Sequence, residues 1–292
     1  MEKKKFDFVG NDMAALPLRE RHQLLLSAVA PRPIALAATM DDKGRCNLSP
    51  FSFFNAFGAN PAYVAFSPAF GGKTGAPKHT LLNIQQTKEF TISVVSYDMV
   101  EQQNLASSEY PAGVDEFVKA GFTKHPSVRI KVPGVADSPC ILECKLFKHI
   151  DLGGKPASGN LLIGEVVYMH LRAELMEASG KLDPRKLDQV SRMGGNWYSR
   201  AREGLFELPK PSSKGLGIGF DRLPREILES PVLTGNELAK LASVFEAPPA
   251  GDHSEYARES SRESVHLLIQ KNIRAGDIAA AWTGIHFLEL LK

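Results

Sequence analysis

The 292-residue sequence predicts a mainly β fold, an antiparallel β-barrel decorated with helices, followed by a helical extension. Three observations carry that prediction. β-Branched and aromatic runs dominate up to about residue 205, without the long helical crossovers that a parallel sheet requires. Two proline-containing linkers, 207–217 and 246–255, then each lead into helix-like sequence, which places a boundary near residue 206 and two domains at 1–205 and 206–292. A content of 43% hydrophobic and 23% charged residues is enough for a packed core and excludes a wholly disordered chain.

Taken in order, residues 34–39 (IALAAT) run into the turn cluster Asp41-Asp42-Lys43-Gly44 and resume at Arg45–Leu48, a β-hairpin pattern. Tyr63–Phe66 is a short strand. The stretch 78–89 carries Leu81, Leu82 and Ile84 at helical spacing, with Thr80 placed near the N-cap. Residues 90–96 (FTISVVS) form a strand and 99–108 a helix. Two long β-rich runs, 140–150 and 161–171, are separated by a loop whose glycines and proline suit a connection between antiparallel strands. In the tail, 264–272 and 277–291 form a helical pair. The second helix carries a stripe of Ile278, Ala281, Trp282, Ile285, Leu288 and Leu291. A two-helix element cannot bury such a stripe alone, so it is expected to pack on the barrel or on a second subunit rather than dock a separate partner.

Composition excludes several functions. Lys and Arg outnumber Asp and Glu by 35 to 33, too small an excess to hold nucleic acid or an acidic membrane by electrostatics. No apolar run reaches the roughly 18–20 residues of a membrane span, and the basic start lacks an apolar signal region. Cys46, Cys140 and Cys144 are too few for a disulfide scaffold, so a soluble protein of the reducing cytoplasm is expected. The eight histidines form no closely spaced ligand pair, and no metal site is expected. Gly215–Gly219 lacks the strand before it that a dinucleotide loop needs, and linker flexibility accounts for it better.

Three segments concentrate polar chemistry. Asn47–Asn55 sets two hydroxyls and two amides among phenylalanines, suited to a planar ligand with a polar edge. Lys78-His79-Thr80 stands at a predicted helix start, where free N–H groups and the dipole favour a phosphate. Arg192–Tyr198 joins a cation, paired glycines and aromatic rings. Each alone also has a plain structural account as turn, cap or strand.

Together and in this order, residues 31–68, 78–96, 153–167 and 192–198 resemble the flavin reductase-like family over roughly residues 20–205. That resemblance implies an FMN-binding split β-barrel, with Thr39, Asn47, Ser49, Pro50, Phe51, Ser52 and Asn55 around the flavin, Lys78 and Thr80 at its phosphate, and Arg192 in the late glycine element. It implies an oxidoreductase passing a hydride or electrons from NAD(P)H to flavin or another acceptor, and a homodimer with the flavin near the subunit interface. Hydride transfer to the flavin ring requires no side chain as acid or base, so no catalytic residue is named. Two departures matter: His79 replaces an Asp before the helix, and Ser158-Gly159-Asn160 replaces a Gly-Asp-His triplet. The second favours an alternative, a non-catalytic electron-carrier module whose terminal helices dock a partner. A split barrel that has lost flavin altogether is a third reading.

Overall fold

The computed structural model describes residues 7–210 and 215–291. Residues 211–214 of the first linker and the first six residues of the basic start lie outside the described residues. The chain divides into two compact units, residues 11–205 and a unit made chiefly of residues 206–292.

The first unit opens with helix α1 (Leu18–Ala28) and the two-residue strand β1 (Arg32–Pro33). Strands β2 (Ala35–Met40) and β3 (Cys46–Phe51) form the hairpin expected from the turn cluster, in a register that sets Thr39 opposite Asn47 and Ala37 opposite Ser49. Successive side chains of β2 face opposite sides, and both sides are buried. Ala35 and Ala37 join one apolar cluster, while Leu36 and Ala38 join another with Met99, Phe117 and Phe122. Its unbroken apolar run follows from that double burial.

Next come β4 (Phe54–Ala59), β5 (Ala62–Phe66), helix α2 (His79–Thr87), β6 (Glu89–Val94), helices α3 (Val100–Leu105) and α4 (Glu116–Ala120), and the short β7 (Lys124–His125) and β8 (Gly134–Val135). The long hairpin β9 (Cys140–Asp151) and β10 (Asn160–Leu171) follows, with register shifts at Ile163/Gly164 and Val166/Tyr168. Seven strands form one antiparallel sheet in the order β3-β2-β6-β9-β10-β5-β4. Its two edges, β3 and β4, are consecutive in the chain and joined only by Ser52 and Phe53, so the sheet curls until its ends approach. No ladder joins them, and the barrel is split. Phe66, Phe90, Ile92, Leu142 and Leu162 fill its interior, with Leu81 and Ile84 of α2 packed into the same cluster. Cys140 and Cys144 are buried there as free thiols, as their spacing on one strand face implies.

Buried Glu143 of β9 is satisfied on every side. It accepts from the backbone N–H groups of Val128 and Arg129 at 2.7 Å each and from His170 Nε2 at 2.6 Å. Burial pushes its carboxyl up, but these bonds outweigh burial and hold it below the usual carboxylate range. The unit closes with α5 (Pro184–Leu187), β11 (Val190–Arg192) and β12 (Tyr198–Arg200), and β1, β11 and β12 make a small separate sheet.

The second unit contains α6 (Arg225–Leu228), α7 (Gly235–Ala242), α8 (Arg262–Ala275) and α9 (Ile278–Leu290). Capping boxes start α7 at Thr234 and α8 at Ser261. The expectation that the α9 stripe needs the barrel for cover is corrected here. Trp282, Ile285 and Leu288 are buried with Leu223, Ile227, Leu233, Leu241 and Ile269, all from this same unit. Helices α6 and α7, following the first linker, supply the cover that two helices alone would lack. The glycine run is also more ordered than a flexible linker: Ile218 and Gly219 donate backbone bonds to Val244 and Ala242, and a Cβ on Gly217 would lie 2.6 Å from the Ala242 carbonyl oxygen.

The bulged part of β10 is sensitive to volume. A Cβ at Gly164 would stand 2.3 Å from Phe90 Cζ in the barrel interior. Gly164→Ala is therefore expected to destabilise the protein by about 1–3 kcal/mol through overpacking, read as a lower midpoint in urea with an unchanged slope.

Candidate flavin site

Helix α2 lies against the β2–β3 hairpin through two side-chain bonds. Asn47 Nδ2 donates to Thr80 Oγ1 at 3.1 Å, and Asn83 Nδ2 donates to Thr39 Oγ1 at 3.0 Å. Thr39, Asn47 and Thr80 are all buried, which makes these bonds costly to break. Thr80 is therefore not the N-cap expected from its hydroxyl. That position falls to Lys78, with extended backbone and no side-chain cap, while Thr80 turns inward to receive Asn47. The first-turn N–H groups of α2 thus lack a capping side chain.

Beside this helix start is a cavity of about 200 Å³. Of the residues singled out in the sequence, Asn47, Ser49, Lys78 and Thr80 line it together, and Thr39 sits behind Asn47 in the hairpin register. Thr74, Ser107 and Ser108 add hydroxyls. Two carboxylates also face it. Glu109 Oε1 lies 2.5 Å from Lys78 Nζ, and that contact holds the exposed Glu109 carboxyl below its usual range. Glu116 is buried, and its Oε2 accepts the Leu48 N–H at 2.9 Å. Burial pushes the Glu116 carboxyl up, opposed by that bond.

The remaining candidates lie elsewhere. Pro50 pairs with Leu36 in the hairpin, and Phe51 packs against Phe66 with ring centres 5.4 Å apart. Ser52 receives a 3.4 Å contact from Arg32 Nε. Asn55 is exposed on edge strand β4 and accepts the N–H of Ala56. Arg192 stands in the small sheet, its guanidinium 4.5 Å from the Tyr198 ring centre and bonded to the Gly195 carbonyl. A second, more open cavity of about 750 Å³ lies here between α1 and the Met193–Ser199 turn, with Trp197 75% exposed at its wall.

Sequence reasoning missed Arg32, Glu109 and Glu116. Arg32 is buried and donates to the carbonyls of Leu26, Val29 and Met193, tying the end of α1 to the glycine turn. Burial, with the nearby Arg192 charge, lowers its pKa. The Glu-x6-Glu spacing of 109 and 116 carries no local signal. Only the fold brings these acids beside Lys78 and Leu48.

Residues 27–188 match the family model of the flavin reductase like domain, and the chain belongs to that family. An uncharacterised protein of Halalkalibacterium halodurans is 39% identical over 202 residues, covering 68% of this chain and 94% of its own. Among solved structures, nitrilotriacetate monooxygenase component B from Bacillus cereus aligns with a TM-score of 0.66 at 29% identity, over 70% of this chain and all of that one. The 2-nitrobenzoate 2-nitroreductase of Pseudomonas fluorescens aligns with a TM-score of 0.63 at 29% identity, over 70% of this chain and 97% of that one. The split barrel and the family expected from the sequence are both borne out.

Proposed function

We propose that the protein binds FMN in the cavity at the start of α2 and serves as an oxidoreductase that takes electrons from NAD(P)H. The observation that carries this reading is the polar cup itself, in which Lys78, Ser49, Thr80 and the uncapped first turn of α2 converge on one volume. A phosphomonoester suits that donor set: an ammonium, two hydroxyls and backbone N–H groups at the positive end of a helix dipole. When bound, the flavin supplies the hydride or electron chemistry. This chain's part is to hold and orient it. Lys78 and Thr80 receive the phosphate, Asn47 and Ser49 line the path away from it, and Thr39 fixes the hairpin through Asn83. The other candidates, Pro50, Phe51, Ser52, Asn55 and Arg192, lie outside this cavity. Their part in the reading is to frame the rest of the flavin surface, with a second copy of the chain supplying some of the wall. Unpaired edges β3 and β4 and the exposed Phe57 support such pairing.

One observation favours the electron-carrier alternative. Asn160, at the last place of the altered triplet, is buried, donates to the Pro68 carbonyl and faces His149 Nε2 through its Oδ1 at 3.1 Å. It offers no accessible acid or base. Mixing FMN-loaded protein with NADH or NADPH separates the two: steady turnover with an added acceptor supports the oxidoreductase. A bound flavin that dithionite reduces but neither nicotinamide does supports the carrier.

The phosphate assignment has a test with opposite signs. Lys78→Ala is expected to weaken FMN about ten- to a hundredfold and riboflavin much less, as loss of a charge-assisted bond implies. Glu109→Gln, which frees Lys78 from its carboxylate, is expected to tighten FMN a few-fold and leave riboflavin unchanged. Equal effects on both flavins would remove the phosphate from this end of the cavity.

A further inference from the structure

Strand β9 turns Leu142 and Cys144 into the barrel interior and Glu143 to the other side of the sheet. Three titratable groups stand there in a row, and none of them lines the cavity at α2. Glu143 Oε1 accepts from His170 Nε2 at 2.6 Å, and His170 Nδ1 lies 3.3 Å from His125 Nε2, with the two rings edge to face. His125 stands at the root of a loop. It belongs to β7, whose pairing with Gly134 of β8 closes segment 126–133, and the N–H groups of Val128 and Arg129 in that segment are the two backbone donors on Glu143. The segment is thus held to the barrel twice, by a histidine pair and by a carboxylate. Tyr168 of β10 packs on the His170 ring with centres 4.9 Å apart. Neighbouring cations are engaged elsewhere: Lys124 holds Asp115 at 2.6 Å, and Arg172 donates to the Asp137 carbonyl. Among the described residues, Glu143 is the one charged side chain bonded to the pair.

The facing nitrogens set a limit on protons. His170 Nδ1 and His125 Nε2 share a hydrogen bond only while one carries a hydrogen and the other a lone pair. That condition holds with both rings neutral and with either ring charged. It fails when both are charged, because two N–H groups then point at each other. Rings that are apart can each take a proton, so the closed pair holds one fewer, and acid favours separation. Glu143 acting alone would give the opposite sign, since it gains from a charged His170 and the contact would tighten as the pH falls. We propose that His125 and His170 form a proton-operated latch, which holds segment 126–133 on the barrel near neutral pH and releases it when both rings are charged. Release withdraws Val128 and Arg129 from Glu143. It also uncovers Ile130 and Val132, which in the closed segment are buried in one cluster with Leu48, Phe117 and Val135.

Amide hydrogen exchange of the full-length protein tests this, followed from about pH 7.5 to about pH 5.5, where histidine changes charge, and corrected for the intrinsic exchange rate. Glu143 is held below the usual carboxylate range and keeps its charge over that span. In wild type the protection of segment 126–133 is expected to fall about tenfold or more, since opening linked to one proton changes by up to about tenfold per pH unit. The buried strand β2 is expected to change less than about twofold, which separates release of the loop from general unfolding. His125→Gln supplies an amide that can bridge to His170 but takes no proton, so its segment is expected to change less than about twofold over the same span. No fall in wild type, an equal fall in β2, or a fall that persists in His125→Gln overturns the proposal. Should the variant fail to fold, wild type decides alone: a fall confined to 126–133 supports the latch, and protection that rises or stays level as the pH drops overturns it.

Discussion

The pair of side-chain bonds between the β2–β3 hairpin and α2 is the constraint on which the site depends. Asn47 to Thr80 and Asn83 to Thr39 cross between a sheet edge and a helix, and three of the four residues are buried. Loss of one partner would leave a buried polar group unsatisfied, a penalty of about 1–3 kcal/mol, so the helix has one favoured seat on the hairpin. That seat sets Lys78 and the open first turn of α2 over the outer end of β3. It also brings Leu48, and with it Glu116, to the same volume. Without the pin, the cationic and anionic halves of the cavity have no fixed relation.

The electrostatics around Lys78 leave its ammonium lightly held. Its contact with Glu109 is close at 2.5 Å, but Glu109 is largely exposed, and exposed pairs contribute little to folding. An ammonium held this weakly is available to a doubly charged anion, which interacts with it more strongly than one carboxylate can. Glu143 behaves oppositely. It is fully enclosed, and two backbone donors and His170 hold it in place.

Much of this was legible in the sequence for physical reasons. The hairpin at 34–48 declares itself through an apolar run broken by a turn cluster, and the long β9–β10 pair through β-branched residues around a glycine-rich loop. Lys78 was legible because helix starts are marked locally. The cap itself was misplaced at Thr80, since a hydroxyl at a helix start can bond either to its own backbone or to another element, and here Asn47 wins. Glu109 and Glu116 were not legible, because their meaning lies in partners tens of residues away. The tail was read as two helices in need of outside cover because α6 is only four residues long and because the apolar face of α7, clear in itself, does not say which other helix it covers.

Arg32 links segments far apart in the chain. Its guanidinium reaches the carbonyls of Leu26 and Val29 at the end of α1 and of Met193 in the glycine turn, while Nε points to Ser52. Only a planar fork with five N–H groups can serve four acceptors spread in this way. A lysine would keep the charge but, with three donors at one point, would release part of the set. Position 32 is therefore closed to the exchange usually regarded as conservative, and the backbones of α1 and of the 193–195 turn are tied together by one side chain that neither segment contains.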